Sequence, residues 1–240
     1  MQLSLSVRVA EKFRAKREAS LSLVELADLA VAHGYQALCM RASQVGVHSP
    51  LEQVQQARRL LEERGLKVSM VTGDFAIPEN SHQGPLGLRR IAPYLDLAAS
   101  LGAHLLRVCL KSAEDIPWAQ RAADEAAERS MRLAHQCHTL SLFEQVEGSL
   151  QVLARIGRPN FGLVYEPANL ELCGQDYGPD TIKRYAPHIF NVYLQNQLLK
   201  FDGQDCLDTW CRGPVRFGQI PIWESRGIDF PLILRSLKEI

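Results

Sequence analysis

The sequence predicts an α/β protein built on a parallel sheet, with a (β/α) barrel preferred over a doubly wound sheet. Three observations carry this reading. Short apolar runs of strand length alternate with helical periodicity along the whole chain. The helical segments stop repeatedly at a glycine just ahead of the next run, at His33-Gly34, Arg64-Gly65 and Leu101-Gly102, as helices do when the chain turns back into a sheet. No G-x-G-x-x-G follows the first run, so the phosphate loop of a dinucleotide-binding sheet is missing. A recurring strand–helix unit has one natural solution, parallel strands joined by right-handed helical crossovers. At 240 residues with no Pro/Gly/Ser-rich linker, a single domain over residues 1–240 is expected.

The elements follow in order. The first strand is expected over residues 3–9. Leu23, Leu26, Ala27, Leu29 and Ala30 share one face of a helix ahead of a strand at 37–41. Val54, Ala57, Leu60 and Leu61 repeat the design before a strand at 67–72, and Leu88, Ile91, Leu95, Leu97 and Ala98 do so before one at 105–110. Runs at 140–144, 162–166 and 190–195 supply the fifth, sixth and seventh strands. Phe230, Ile233, Leu234 and Leu237 stand at helical spacing, so residues 227–240 read as an entry turn and a last helix. A closed eight-stranded barrel needs one more strand after that helix, and none remains in the sequence. The barrel is therefore expected to be incomplete at its eighth strand, through a shortened chain, a gap or a partner chain, because open sheet edges pair and aggregate.

Composition narrows the function. Acidic and basic residues number 27 each, so no global field draws the chain to nucleic acid or an anionic membrane. No apolar run reaches the ~20 residues of a membrane helix, and the N-terminus lacks a signal-peptide pattern. The six cysteines form no C-x-x-C pair and sit mostly in apolar runs, which points to reduced thiols and a cytoplasmic location. Cys206 and Cys211 lie in a loop-like region with no nearby histidine to complete a zinc site.

The run Phe161-Gly-Leu-Val-Tyr-Glu-Pro-Ala-Asn169 delivers Glu166 to a strand end and stops at Pro167, since proline cannot continue the ladder. Thr139-Leu-Ser-Leu-Phe-Glu144 is expected to do the same with Glu144. Strand-end carboxylates serve as bases or ligands at the C-terminal face of a barrel, and as structural ion pairs elsewhere. Arg8, Arg41 and Arg107 fall late in the first, second and fourth strands. A buried guanidinium needs anionic company, either those carboxylates or a substrate phosphate or carboxylate gripped bidentately. Asn169, Tyr193 and Gln195 are candidate partners for sugar hydroxyls. Asn191, Tyr193 and Gln195 alternate along the seventh run and are expected to point one way.

With these residues placed, the chain resembles the xylose-isomerase-like TIM-barrel superfamily of sugar isomerases, sugar and sugar-phosphate epimerases, inosose dehydratases and endonuclease IV-type nucleases. The likeness is strongest at residues 140–144, at 161–170 and at Gly227-Ile-Asp-Phe-Pro-Leu-Ile-Leu234. It implies a (β/α)8 TIM barrel and a divalent metal held by Glu, Asp, His and Glu on the fifth to eighth strands. Glu144 matches the first position and Glu166 stands, one methylene longer, at the second. The seventh run, Phe190-Asn-Val-Tyr-Leu-Gln-Asn196, lacks the family's histidines at Asn191 and Tyr193 and its aspartate at Asn196. A metal at Glu144 and Glu166 is accordingly expected to be weakly held and oxygen-rich, Mg²⁺ or Mn²⁺ in preference to Zn²⁺. The resemblance implies an isomerase or epimerase with Glu144 and Glu166 as the catalytic pair, acting on a sugar, sugar phosphate or sugar acid by proton abstraction next to a carbonyl. A dehydratase of the same superfamily and a non-catalytic sugar-binding barrel are the alternatives. A homo-oligomer remains open. A nuclease is disfavoured by the absence of a histidine-rich cluster and of a basic groove.

Overall fold

Apolar runs closed by glycine-ended helices fold as the pattern requires. The computed structural model describes residues 2–12 and 15–240. They fall into two compact units, residues 1–109 with 121–133, and residues 110–120 with 134–240.

The first unit opens with β1 (Ser4–Ser6), a 3-10 turn (Val7–Ala10) and a short hairpin of β2 (Glu11–Lys12) and β3 (Ala15–Ala19). Then come α1 (Leu23–Ala32), β4 (Ala37–Arg41), α2 (Leu51–Glu63), β5 (Lys67–Thr72), α3 (Leu86–Arg89), α4 (Ala92–Ser100) and β6 (Leu105–Val108). Apart from that antiparallel hairpin the strands pair in parallel, with Ser4 opposite Ala37, Ala37 opposite Lys67 and Val71 opposite Leu106. All five residues of β4 are buried, as expected of a parallel strand covered on both faces. Gly34, Gly65 and Gly102 have φ of 75°, 68° and 72°, the left-handed conformation in which a side chain is strained. Helix α5 (Ile116–Glu128) and strand β7 (Arg132–Gln136) continue the series, and the Arg132 N–H donates to the His104 carbonyl at 2.9 Å.

Helix α1 starts with a full capping box. Ser22 Oγ accepts the Glu25 N–H at 3.3 Å, and the Glu25 carboxylate accepts the Ser22 N–H at 2.7 Å. Ser22→Ala is expected to cost about 1 kcal/mol, read as a lower urea midpoint at unchanged slope. An unchanged midpoint would show that the box adds nothing.

In the second unit α6 (Val146–Ile156), β8 (Phe161–Tyr165), α7 (Pro167–Leu172), α8 (Pro179–Tyr185), a 3-10 turn (Ala186–His188) and β9 (Ile189–Val192) follow β7. The Cys137 N–H donates to Val164 O at 3.0 Å, and β8 pairs in parallel with β9, Leu163 opposite Ile189. Gly162 is obligatory here: a Cβ would lie 2.4 Å from the His188 carbonyl oxygen and against the Phe190 ring. Strands β10 (Gln197–Leu199), β11 (Asp205–Thr209) and β12 (Gly213–Gln219) form an antiparallel sheet in the order β10-β12-β11, ahead of α9 (Phe230–Lys238). Among the described residues the parallel strands number seven. Among the described residues no strand follows α9, and no helix is long and apolar enough to cross a membrane.

Several expected boundaries need correction. The first strand ends at Ser6, because Ser6 Oγ accepts the Arg8 N–H and starts a 3-10 turn there. The fifth strand is Arg132–Gln136, not residues 140–144. The Leu133-Ala134-His135-Gln136 stretch is fully buried despite its two polar residues, which hid it from an apolar-run reading. Residues 140–144 alternate like a strand but form a turn: Leu140 has φ 54°, and Ser141 Oγ both donates to His138 O at 2.7 Å and accepts the Phe143 N–H at 3.1 Å. Phe143 finds its burial by stacking on His135, ring centroids 4.2 Å apart. The seventh strand stops at Val192, so Tyr193 and Gln195 lie beyond it and do not continue the alternation of Asn191. The antiparallel sheet of residues 197–219 was not anticipated; Gly203, Gly213 and Gly218 break its periodicity.

Candidate functional site

Strand β8 ends at Tyr165 and Pro167 occupies the first turn of α7, which leaves Glu166 between strand and helix. Proline suits that place, since its fixed φ fits a first helical turn and no N–H is needed there. Glu166 is 3 % exposed. Its Oε2 accepts hydrogen bonds from Gln136 Nε2, at the end of β7, and from Asn169 Nδ2 at 2.7 Å. Asn169 Nδ2 also donates to Cys137 O at 2.8 Å, so Asn169 holds the carboxylate against the end of β7. Gln136 Oε1 is buried and accepts no hydrogen bond, a cost that a ligand hydroxyl would remove. Burial pushes the neighbouring Cys137 thiol up to about 12.

Glu144 is placed differently. It follows the turn after β7, one helical entry before α6, and is 3 % exposed. Oε1 accepts the Leu140 N–H and the Trp210 N–H at 2.8 Å, while Oε2 accepts the N–H groups of Trp210 and Cys211, each at 3.0 Å. The carboxylate thus fastens the β11–β12 turn to the loop after β7. Cys173 and Cys211 stand beside it, so its donor surroundings are mixed oxygen and sulfur instead of oxygen alone.

The remaining second-unit candidates do less. Tyr193 is half-buried and donates its N–H to Tyr165 O at 2.9 Å, and Gln195 is exposed. Asn196, where the resemblance places an aspartate, is a hub: Nδ2 donates to Pro221 O and Glu224 O at 2.9 and 2.7 Å, and Oδ1 accepts from the N–H groups of Gln197 and Ile228.

The first unit gathers the arginines. Arg41 Nε lies 2.9 Å from Glu11 Oε1 with both side chains buried, Arg8 donates to the Glu11 carbonyl at 2.7 Å, and its Nε is 4.0 Å from Glu11 Oε2. Lys16, unremarked in the sequence, joins them and donates to Pro78 O at 3.1 Å. Burial, and then the charges of Arg41, Arg8 and Arg107, lower its ammonium to about 8. The four cations therefore share one electrostatic neighbourhood with Glu11.

Sequence reasoning missed Gln136, Lys16 and Cys173, and set Cys211 aside for want of a nearby histidine. Gln136 ends a short buried run whose two polar residues hid it. The two cysteines lie 38 residues apart, a spacing that carries no signal.

Comparison with known proteins adds the following. The family described as "Xylose isomerase-like TIM barrel" matches residues 27–240. No curated protein sequence matches significantly. The chain resembles the probable 3-DHS dehydratase AsbF of Bacillus anthracis, involved in petrobactin synthesis, at 14% identity and TM-score 0.74, covering 100% of this chain and 89% of that one. It resembles a xylose isomerase-like TIM barrel protein from Mycobacterium smegmatis in complex with magnesium at 12% identity and TM-score 0.72, covering 99% and 86%. It also resembles D-psicose 3-epimerase, crystallised with D-fructose, at 12% identity and TM-score 0.67, covering 85% and 77%. At these identities the likeness is one of fold.

Proposed function

The chain belongs to the xylose isomerase-like TIM barrel family, and on that premise we propose that it is a sugar or sugar-phosphate isomerase or epimerase working by proton abstraction next to a carbonyl. The observation that carries this is Glu166: a buried carboxylate at a parallel strand end, oriented by Gln136 and Asn169. Strand C-termini are where barrels do chemistry. Glu166 is the base, taking the carbon-bound proton on its carboxylate. Gln136 Oε1 accepts a substrate hydroxyl and so places the carbon within reach. Asn169 keeps the carboxylate from turning away.

Divalent metals accompany this fold, magnesium in the M. smegmatis protein among them. The donors around Glu166 do not make such a centre. Gln136 is neutral and the seventh strand brings no histidine, whereas a catalytic metal usually keeps three protein ligands. The proton transfer is therefore derived from the side chains alone.

Incubation in D₂O with ketoses, ketose phosphates and sugar acids tests the reading by NMR. Deuterium is expected to enter next to the carbonyl, with an isomer or epimer as product. Release of water would identify a dehydratase, and binding without exchange a sugar-binding barrel; either overturns the proposal.

The cations of the first unit favour an anionic ligand, a phosphate or a sugar acid, at Arg8, Arg41, Arg107 and Lys16. This makes a pH dependence. Free Lys16 titrates at about 8, and a bound anion raises that value, so binding above about pH 8 must take up a proton. Affinity for inorganic sulfate, which does not itself titrate, should fall by up to about tenfold per pH unit above that point. Lys16→Met should flatten the slope. A flat profile in the unmodified protein would remove Lys16 from the site.

A further inference from the structure

Glu144 has company that a strand-end base does not need. Its carboxylate oxygen, Cys173 Sγ and Cys211 Sγ all lie within 4.8 Å of one another. Cys173 caps the C-terminal end of α7, Cys211 sits in the β11–β12 turn, and Glu144 precedes α6. We infer that these three side chains form a site for a borderline-soft divalent cation, Zn²⁺ above all, which clamps the β11–β12 turn to the end of α7.

The donor chemistry comes first. Two thiolates with one carboxylate suit Zn²⁺ and disfavour Mg²⁺ and Ca²⁺, which take oxygen ligands. Distances agree. Zinc bonds of about 2.3 Å to sulfur and 2.0–2.2 Å to oxygen in a tetrahedron set the ligand atoms roughly 3.5–4 Å apart, so a contraction on the order of 1 Å or less closes the site. Both sulfurs carry protons in the cation's absence, the Cys211 thiol donating to the Cys173 carbonyl at 3.4 Å. Binding replaces them: one cation enters, two sulfur–metal bonds and one oxygen–metal bond form, and two thiol protons leave to solvent.

The surroundings are arranged for it. Ligating carboxylates need outer partners to hold them in orientation, and the N–H groups of Leu140, Trp210 and Cys211 supply three. Thr209 Oγ1 stiffens the turn that carries Cys211, accepting the Arg212 N–H at 2.9 Å and donating to Gly213 O at 3.0 Å. Three anionic ligands around a dication leave one negative charge. Two cations stand nearby: Arg212 donates to the carbonyls of Glu171 and Leu172 just before Cys173, and Arg155 lines the adjoining groove. That groove, about 400 Å³ and lined by Ser141, Glu144, Trp210 and Cys211 among others, opens beside two of the three ligands. The site is separate from Glu166 and its amides, so it stands whether or not the proposed proton abstraction does.

The test is titration of the full-length, reduced, chelator-treated protein with Co²⁺. One equivalent is expected to bind with the charge-transfer absorption of a thiolate-ligated cobalt, displaced by added Zn²⁺. Cys173→Ser and Cys211→Ser should each lower the affinity by more than about 100-fold, beyond what loss of an outer-shell partner costs, with unchanged circular dichroism. Cys206→Ser, in mid-strand, should behave like the unmodified protein. Glu144 variants are avoided because they disturb the turn itself. Absence of the absorption, its survival in both serine variants, or a Cys173–Cys211 disulfide in protein isolated without reductant would overturn the assignment.

Discussion

Replacing Glu166 by glutamine is expected to lower kcat by about 10³-fold, within the 10²–10⁴ that a positioned base contributes, with KM little changed. That factor corresponds to ~4 kcal/mol of transition-state stabilisation. The substitution keeps the shape of the side chain and removes the lone pair that takes the proton. It also turns one of three amides in the cluster toward two others, since Gln136 and Asn169 both donate to Glu166, so thermal unfolding must be followed in parallel. Glu166→Asp separates chemistry from structure: it draws the carboxylate back by one methylene but keeps a base, and it is the residue the family resemblance places there. Measurable deuterium exchange in the aspartate variant and none in a folded glutamine variant is the signature of a base. A glutamine variant retaining a tenth or more of the exchange rate would remove Glu166 from that role.

The glycine-ended helices made most of the fold legible. α1, α2 and α4 end at Gly34, Gly65 and Gly102, where the sequence places them, because a left-handed cap is a local requirement that a local pattern records. Glu166 was legible for the same reason, fixed by Pro167 one residue later. The fifth strand was not. His135 and Gln136 are polar and yet buried, and what makes that tolerable is tertiary: His135 stacks on Phe143, and Gln136 pairs with Glu166 across 30 residues. The decoy at residues 140–144 alternates because Phe143 must be buried against His135, a loop packing into a core, and alternation does not distinguish that from a strand. Seventh-strand register failed similarly: Tyr193 and Gln195 extend the alternation of Asn191, but the chain leaves the ladder at Val192. The antiparallel sheet and the Glu144–Cys173–Cys211 grouping depend on contacts between segments distant in sequence, which no spacing encodes.

Glu144→Ala should be the most destabilising single change in the second unit's loops, at about 3 kcal/mol. One buried carboxylate accepts the N–H groups of Leu140, Trp210 and Cys211. Hydrogen bonds to a charged group are worth about 1.5–3 kcal/mol each, and leaving a buried donor unmade costs about 1–3 kcal/mol. The sum is not additive, because the adjoining groove admits water to part of the vacated space. Glu144→Gln should cost less. Its remaining oxygen can serve Leu140 and Trp210, but the new amide then faces the Cys211 N–H with another donor. Urea titration in the presence of chelator gives the magnitude free of any bound cation. Hydrogen exchange gives the location: the Trp210 and Cys211 amides should exchange faster in both variants, while those of β8 should keep the protection of their parallel ladder with β9. If Glu144→Ala lies within about 0.5 kcal/mol of the unmodified protein, the range of an ordinary surface change, the carboxylate is not what fastens this turn. Its buried position would then rest on the cation site it forms with Cys173 and Cys211.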